Sequence, residues 1–147
     1  MKKLILTIAL AVATISFCDA KAPIKGNGAE KNDARTIEPY SAISVADGIA
    51  LNFSKDHLSG VVVTADENVL EHIVTEVVGG ELLIHFKVGE NVKPKKNPVV
   101  TVPNNGTITS LTIGNNSKFA VKETLDVEGM TIKAMGGAQI EMKIDAR

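Results

Sequence analysis

The sequence predicts an all-β domain in which short strands repeat as a β-solenoid or β-helix-like stack, with one short helix near residues 66–74. Three observations carry that expectation. Apolar residues recur at every second position in short segments, Gly and Asn pairs punctuate those segments, and the C-terminal part holds two similar copies of a strand-corner-strand unit. The 147 residues allow one domain of ordinary size, and 44% hydrophobic content excludes a disordered chain. A net charge of −1 gives no electrostatic reason to expect nucleic acid as partner. With 3% aromatic residues and no Trp, flat faces on which a sugar or base stacks are scarce.

Residues 1–20, MKKLILTIALAVATISFCDA, have the order of a secretory signal: two lysines, a short apolar run, then small or polar residues. The run is too short for a resident spanning helix, and no second segment reaches the required length, so no integral membrane span is expected. Two processing routes fit. Cleavage between Ala20 and Lys21 releases a chain without cysteine, whereas Ile15-Ser16-Phe17-Cys18 read as a lipoprotein box makes Cys18 a lipidated N-terminus. A lone Cys forms no disulfide within the chain by either route.

Residues 21–39 are polar, with Pro23, Gly26 and Gly28, and read as an extended N-terminal lead-in to a single domain over 40–147. Ile43 and Val45, then Ile49, Leu51 and Phe53, alternate with polar or small residues around Asp47-Gly48, which predicts a β-hairpin or a β-corner. Ser59-Gly60 opens a β-branched strand over 61–64. Asp66 is placed to cap a two-turn helix whose Val69, Leu70 and Ile73 share a face, with Glu67 at its positive end. Gly79-Gly80 then joins two strands as a hairpin turn, with Leu82, Ile84 and Phe86 inward. Four lysines between 87 and 96, with Pro94, predict a projecting loop. Pro98 and Pro103 confine residues 99–102 to a short strand near a sheet edge.

Laying residues 111–121 (LTIGNNSKFAV) over 132–142 (IKAMGGAQIEM) puts apolar on apolar and Asn115-Asn116 on Gly136-Gly137. Asn and Gly best tolerate left-handed backbone, so each pair predicts a sharp corner. Leu125 and Val127 supply a link strand between the copies.

The blocks at 24–28 (IKGNG), 40–49 (YSAISVADGI), 63–70 (VTADENVL) and 75–84 (TEVVGGELLI) resemble the DUF2807 family, the putative auto-transporter adhesin, head GIN domain of Bacteroidetes-type bacteria. The resemblance runs over nearly all of residues 24–147. It implies an exported, all-β, solenoid-like domain at the cell envelope and no established activity. Family members carry Ser-Gly-Ser-Gly-like corners where this sequence has Gly114-Asn115-Asn116-Ser117 and Met135-Gly136-Gly137-Ala138, and they continue for more coils. The sequence therefore reads as a short or C-terminally truncated member, or as one whose last strand edge is covered by a partner.

Residues that bear chemistry give few constellations. His57, His72 and His85 lack the close spacing of metal ligands, so they read as surface histidines. Asp66 and Glu67 form a carboxylate pair of the kind glycoside hydrolysis needs, yet helix capping explains both. Gly26-Asn27-Gly28 lacks the context of a dinucleotide loop, and no nucleophile elbow occurs. The lysines of 87–96 read as a solvated loop, with anionic lipid or polysaccharide as the alternative contact.

The expectation is a non-enzymatic, adhesin-like module, without metal or cofactor, in the periplasm, at the outer membrane surface or secreted. Its interaction surface includes Lys118, Gln139 and Glu141, and its partner is an envelope protein or polysaccharide, or a second copy met through the open C-terminal strand edge. The competing expectations are a polysaccharide-processing enzyme using exposed carboxylates and a lipid-anchored envelope protein.

Overall fold

The computed structural model describes residues 22–55, 59–104, 107–120 and 129–141. The expected signal segment with Ala20, Lys21 and Cys18, the link strand of Leu125 and Val127, and His57 all lie outside the described residues. The strands are β1 (Ile24–Lys25), β2 (Glu30–Arg35), β3 (Ala42–Val45), β4 (Ala50–Ser54), β5 (Val61–Asp66), β6 (Ile73–Val78) and β7 (Glu81–Phe86). They continue with β8 (Val92–Lys93), β9 (Val99–Pro103), β10 (Ser110–Ile113), β11 (Lys118–Ala120), β12 (Thr131–Ala134) and β13 (Gln139–Glu141). The fold is all-β, in open mixed sheets. One sheet has the order β12-β10-β3-β7-β6, the other β13-β11-β4-β9-β5-β2, and β1 pairs with β8 alone.

Period-two alternation decides which face each strand buries. Ile43 and Val45 of β3, Leu51 and Phe53 of β4, Leu82, Ile84 and Phe86 of β7, Val100 and Val102 of β9, and Leu111 and Ile113 of β10 all enter one apolar core. Phe53 and Phe119 close it edge to face, ring centres 5.5 Å apart. The other residues of these strands are only partly covered.

Asp47-Gly48 forms a corner and not a hairpin, because β3 lies in the five-stranded sheet and β4 in the six-stranded one. Asp47 and Gly48 have φ of 61° and 77°, and the turn closes through Ile49 N–H donating to Ala46 O at 3.3 Å. The two aligned segments turn with similar backbone: Asn115 and Asn116 have φ of 49° and 61°, Gly136 and Gly137 of 61° and 78°. The register follows the alignment of the repeat, with Leu111 beside Ile132 and Phe119 beside Ile140. The first corner stacks on them as a third equivalent, since β3 and β4 pair with β10 and β11 in parallel.

The hairpin of β6 and β7 is as expected, with Gly79 and Gly80 both at positive φ and Leu82, Ile84 and Phe86 buried. Three expectations need correction. No two-turn helix follows Asp66: β5 runs through that residue, and only a 3₁₀ turn, Leu70–His72, precedes β6. Arg35 explains why the turn stops there, since its guanidinium donates to Leu70 O at 2.8 Å and Ile73 O at 2.6 Å and captures carbonyls a longer helix would use. Second, β9 is not near an edge. It lies between β4 and β5, because the prolines sit at its margins, where Pro98 needs only its carbonyl, which accepts from Ala50 N–H at 2.9 Å. Third, residues 87–96 do not simply project: β8 pairs with β1, and Lys95 N–H is bound by Asp66. The N-terminal stretch itself contributes β1 and β2, the latter antiparallel to β5 at a sheet edge.

Coverage falls toward β12 and β13. Leu111 and Phe119 are fully buried, but their neighbours Ile132 and Ile140 are only partly buried and 37% exposed, and Met135 is 58% exposed. Urea unfolding of Leu111→Ala should therefore show a loss of about 3 kcal/mol, and Ile132→Ala a loss of about 1 kcal/mol, since a partly covered methylene loses less on removal. A second expectation concerns Tyr40, the only tyrosine, whose hydroxyl is buried without a described partner; burial pushes its pKa up to about 12. The folded state thus holds the proton that the unfolded state releases near its ordinary value of 10.0. Stability is lost as pH rises between these values, Tyr40→Phe should abolish that part of the loss, and tyrosinate absorbance should titrate near the raised value.

Candidate interaction surface

Lys118, Gln139 and Glu141 stand where the strand register brings them together. Lys118 is the direct neighbour of Gln139 across β11 and β13, Ala120 is the neighbour of Glu141, and all three polar side chains are exposed. They lie on the outer face of the six-stranded sheet, at the end where β13 has a neighbour on one side only. β12 is likewise the last strand of its sheet. Among the described residues, these two strands have no partner on their outer side, where Met135 and Ile140 are exposed.

A second cluster, unforeseen as a unit, gathers around Asp66. This carboxylate is fully buried at the end of β5; its Oδ2 accepts from Lys95 N–H at 2.7 Å and from Lys96 N–H at 3.3 Å, and its Oδ1 has no described partner. Gly26 lies so close that a Cβ there would stand 2.5 Å from Lys95 N and collide with Oδ2. Asn68 completes the frame by accepting from Asn27 N–H at 2.9 Å and donating to Lys25 O at 2.7 Å. Asp66 and Asn68 thus hold the N-terminal strand and the lysine segment side by side. Any reading of Asp66 and Glu67 as paired catalytic carboxylates meets the fact that they diverge: Glu67 is exposed and accepts from Lys31 Nζ at 2.6 Å. The hydrogen bond to Lys31, then its charge, lowers the Glu67 pKa, and the same contact raises that of Lys31.

The histidines serve the same segment separately. His72 Nδ1 lies 2.6 Å from Glu90 Oε2, which ties the 3₁₀ turn to the loop after β7, and His85 Nδ1 donates to Phe86 O at 2.6 Å. Among the described residues no group of three or more His, Cys, Asp or Glu is arranged to hold a metal, and no helix is long and apolar enough to cross a membrane. An open depression of about 470 Å³ lies between the first corner and this loop, lined by Asp47, His85, Phe86, Lys87, Val88 and Glu90 among others. Asp47 Oδ2 accepts from Phe86 N–H at 3.1 Å at its floor.

Parallel and antiparallel strand pairs in two open mixed sheets, with a described edge at β12 and β13 and a lysine-bearing segment between β7 and β9, define an all-β domain. Residues 39–147 match the family described as DUF2807, putative auto-transporter adhesin, head GIN domain, and the chain belongs to that family. Solved structures share the fold. A putative lipid binding protein from Parabacteroides distasonis is 22% identical, with a TM-score of 0.71 over 84% of this chain and 53% of that one. A putative adhesin from Parabacteroides merdae is 23% identical, with a TM-score of 0.64 over 76% of this chain and 46% of that one. A putative adhesin from Bacteroides fragilis is 11% identical, with a TM-score of 0.70 over 81% and 55%. The chain spans about half the length of these structures. No curated protein matches the sequence.

The Asp66 contacts make a direct prediction. Asp66→Ala leaves Lys95 N–H without its acceptor at a part-buried contact and should cost about 1 kcal/mol. Amide exchange at Lys95 and Lys96 should accelerate in that variant while exchange in β10 changes only with global stability. Unchanged protection at Lys95 would count against the assignment.

Proposed function

We propose that this chain is an exported, non-enzymatic binding module of the bacterial cell envelope, adhesin-like in the sense of its family. In this reading the parallel strands form a β-solenoid-like stack over residues 40–147, preceded by a signal segment over 1–20 and a lead-in over 21–39. The observation that carries the reading is that, among the described residues, β12 and β13 have no strand on their outer side and stand beside exposed Met135 and Ile140. Such an edge accepts an added strand, with backbone hydrogen bonds supplying affinity and outward side chains supplying selectivity. Lys118, Gln139 and Glu141 are the selecting side chains, and the partner is an envelope protein or polysaccharide, with a second copy as the competing occupant. The names of the structural neighbours, adhesins and a lipid binding protein, agree with binding as the role.

Two measurements test this. The mass of the processed protein should correspond to a chain beginning at unmodified Lys21; a lipid on Cys18 would replace secretion by anchoring. Immobilised mature protein should retain a defined envelope polymer or protein, and Met135→Asp/Ile140→Asp should lower retention by about tenfold, since both side chains lie at the center of the contact. Equal retention by both proteins would remove the edge from the mechanism. Concentration-dependent sedimentation that the same variant abolishes would identify the occupant as a second copy.

A further inference from the structure

We propose that the lysine segment and the N-terminal strand together form a docking face for the phosphate-bearing surface of an anionic phospholipid membrane. Lys25 and Lys93 are direct neighbours across the parallel pair β1 and β8, and both are exposed. Adjacent strands lie about 4.8 Å apart, so this register holds two like charges side by side, a placement that disfavours pairing unless an anion stands over it. Lys95 adds a third charge. Its side chain lies across Gly28, where a Cβ would approach its Cδ to 2.9 Å. Among the described residues, Lys25, Lys93 and Lys95 have no carboxylate within ion-pair distance, and Lys96 reaches Glu30 only at 3.8 Å. The single acid of residues 87–96, Glu90, is turned toward His72.

The face is built and not incidental. In the neighbouring pair of strands β3 reaches β4 through residues 46–49, whereas β7 reaches β9 through residues 87–98, so Lys87, Lys93, Lys95 and Lys96 ride on an enlarged connection. Buried Asp66 fixes the backbone of Lys95 and Lys96, Asn68 fixes that of Lys25 and Asn27, and Gly26 lets the two segments close. Compact ammonium groups on flexible stems suit a diffuse layer of phosphates better than one bidentate ligand. The same corner carries Val88, 92% exposed, an apolar tip able to enter the headgroup region beside Lys87. Charge complementarity and this tip favour a lipid surface over a hydrated anionic polysaccharide. The face is separate from the β12 and β13 edge, and the inference rests on the binding-module reading only for its setting.

Vesicle co-sedimentation with the purified chain tests it. Binding is expected to vesicles of phosphatidylcholine with phosphatidylglycerol, not to phosphatidylcholine alone, and to be reversed by high salt. Lys25→Gln/Lys93→Gln/Lys95→Gln should lower the partition constant by about a hundredfold, on the order of fivefold for each lysine, and Val88→Asp should lower it further. Lys55→Gln/Lys133→Gln, with a similar loss of charge elsewhere, should bind as the parent does. Equal binding to neutral vesicles, an unchanged triple variant, or retention on an anionic polysaccharide without vesicle binding would overturn the proposal. Met135→Asp/Ile140→Asp should not alter vesicle binding, so failure here and failure of the edge reading are told apart.

Discussion

The constraint on which the described structure depends is that the chain must turn between its two sheets in two residues, and must do so at the same place in successive layers. Only backbone with positive φ makes that turn so short, and L-residues other than Gly, Asn and Asp adopt it at a cost of about 1 kcal/mol or more. Asp47-Gly48, Asn115-Asn116 and Gly136-Gly137 meet the requirement and form a column. Gly48 N–H donates to Asn115 O at 3.0 Å, and Asn116 N–H donates to Gly136 O at 2.9 Å, so the corners continue the ladder that the flanking strands begin. Each corner is closed on its own chain as well, with Ser117 N–H donating to Gly114 O at 3.1 Å. Because the corners coincide, the residues before and after them fall into register, and alternation then decides which side chains form the core. The column leaves little lateral room. A Cβ at Gly136 would stand 3.1 Å from the backbone N of Asn115, and one at Gly137 2.6 Å from the end of the Asn116 side chain.

The layer of β7 and β9 breaks this rule, and its exception supplies the surface chemistry. Residues 87–98 take the place of a four-residue corner, and a segment of that length requires its own supports. Glu90 to His72, β8 to β1, and Lys95 to Asp66 are those supports, one near each third of the segment. Burying Asp66 is expensive, and the two backbone N–H groups that its Oδ2 accepts from offset part of that cost. Arg35 acts in the same manner on the opposite side of β5, holding the 3₁₀ turn by its carbonyls and Asp33 by its carboxylate at 2.8 Å.

These relations also explain how much was legible in the residues. Corners and alternating strands are local, so Gly79-Gly80, Asn115-Asn116 and Gly136-Gly137 announce themselves, and the offset between the last two pairs is the strand register. The first corner, Ala46-Asp47-Gly48-Ile49, has the same pattern, but its distance along the chain hides it from a search for close repeats. Partner choice is non-local. Asp66 followed by Glu67 has the look of a helix start, and nothing in the neighbouring sequence reveals that β2 pairs antiparallel with β5 and that Gly26 closes over the carboxylate. The prolines around β9 misled for a related reason: their position at strand ends, not their presence, decides whether a ladder loses a donor. Lys118, Gln139 and Glu141 were readable as outward positions because alternation assigns faces. The pairing of Lys25 with Lys93 was not, since it depends on two short strands far apart in sequence.

The two proposed binding surfaces differ in what the fold has already done for them. At the β12 and β13 edge the backbone is aligned by the corner column but its side chains remain only partly covered, so a partner strand there would gain both hydrogen bonds and apolar burial. Its affinity would respond to Met135 and Ile140 and little to salt. On the lysine face the apolar contribution is one valine, and the strands beneath are held by Asp66 and Asn68 independently of any ligand. The attraction proposed there would be electrostatic and screened within about 10 Å at moderate ionic strength, so it would act only on a surface already close. Short range suits a module retained beside a membrane better than one that must capture a dilute ligand. The edge, being directional, supplies the selectivity that clustered ammonium groups lack.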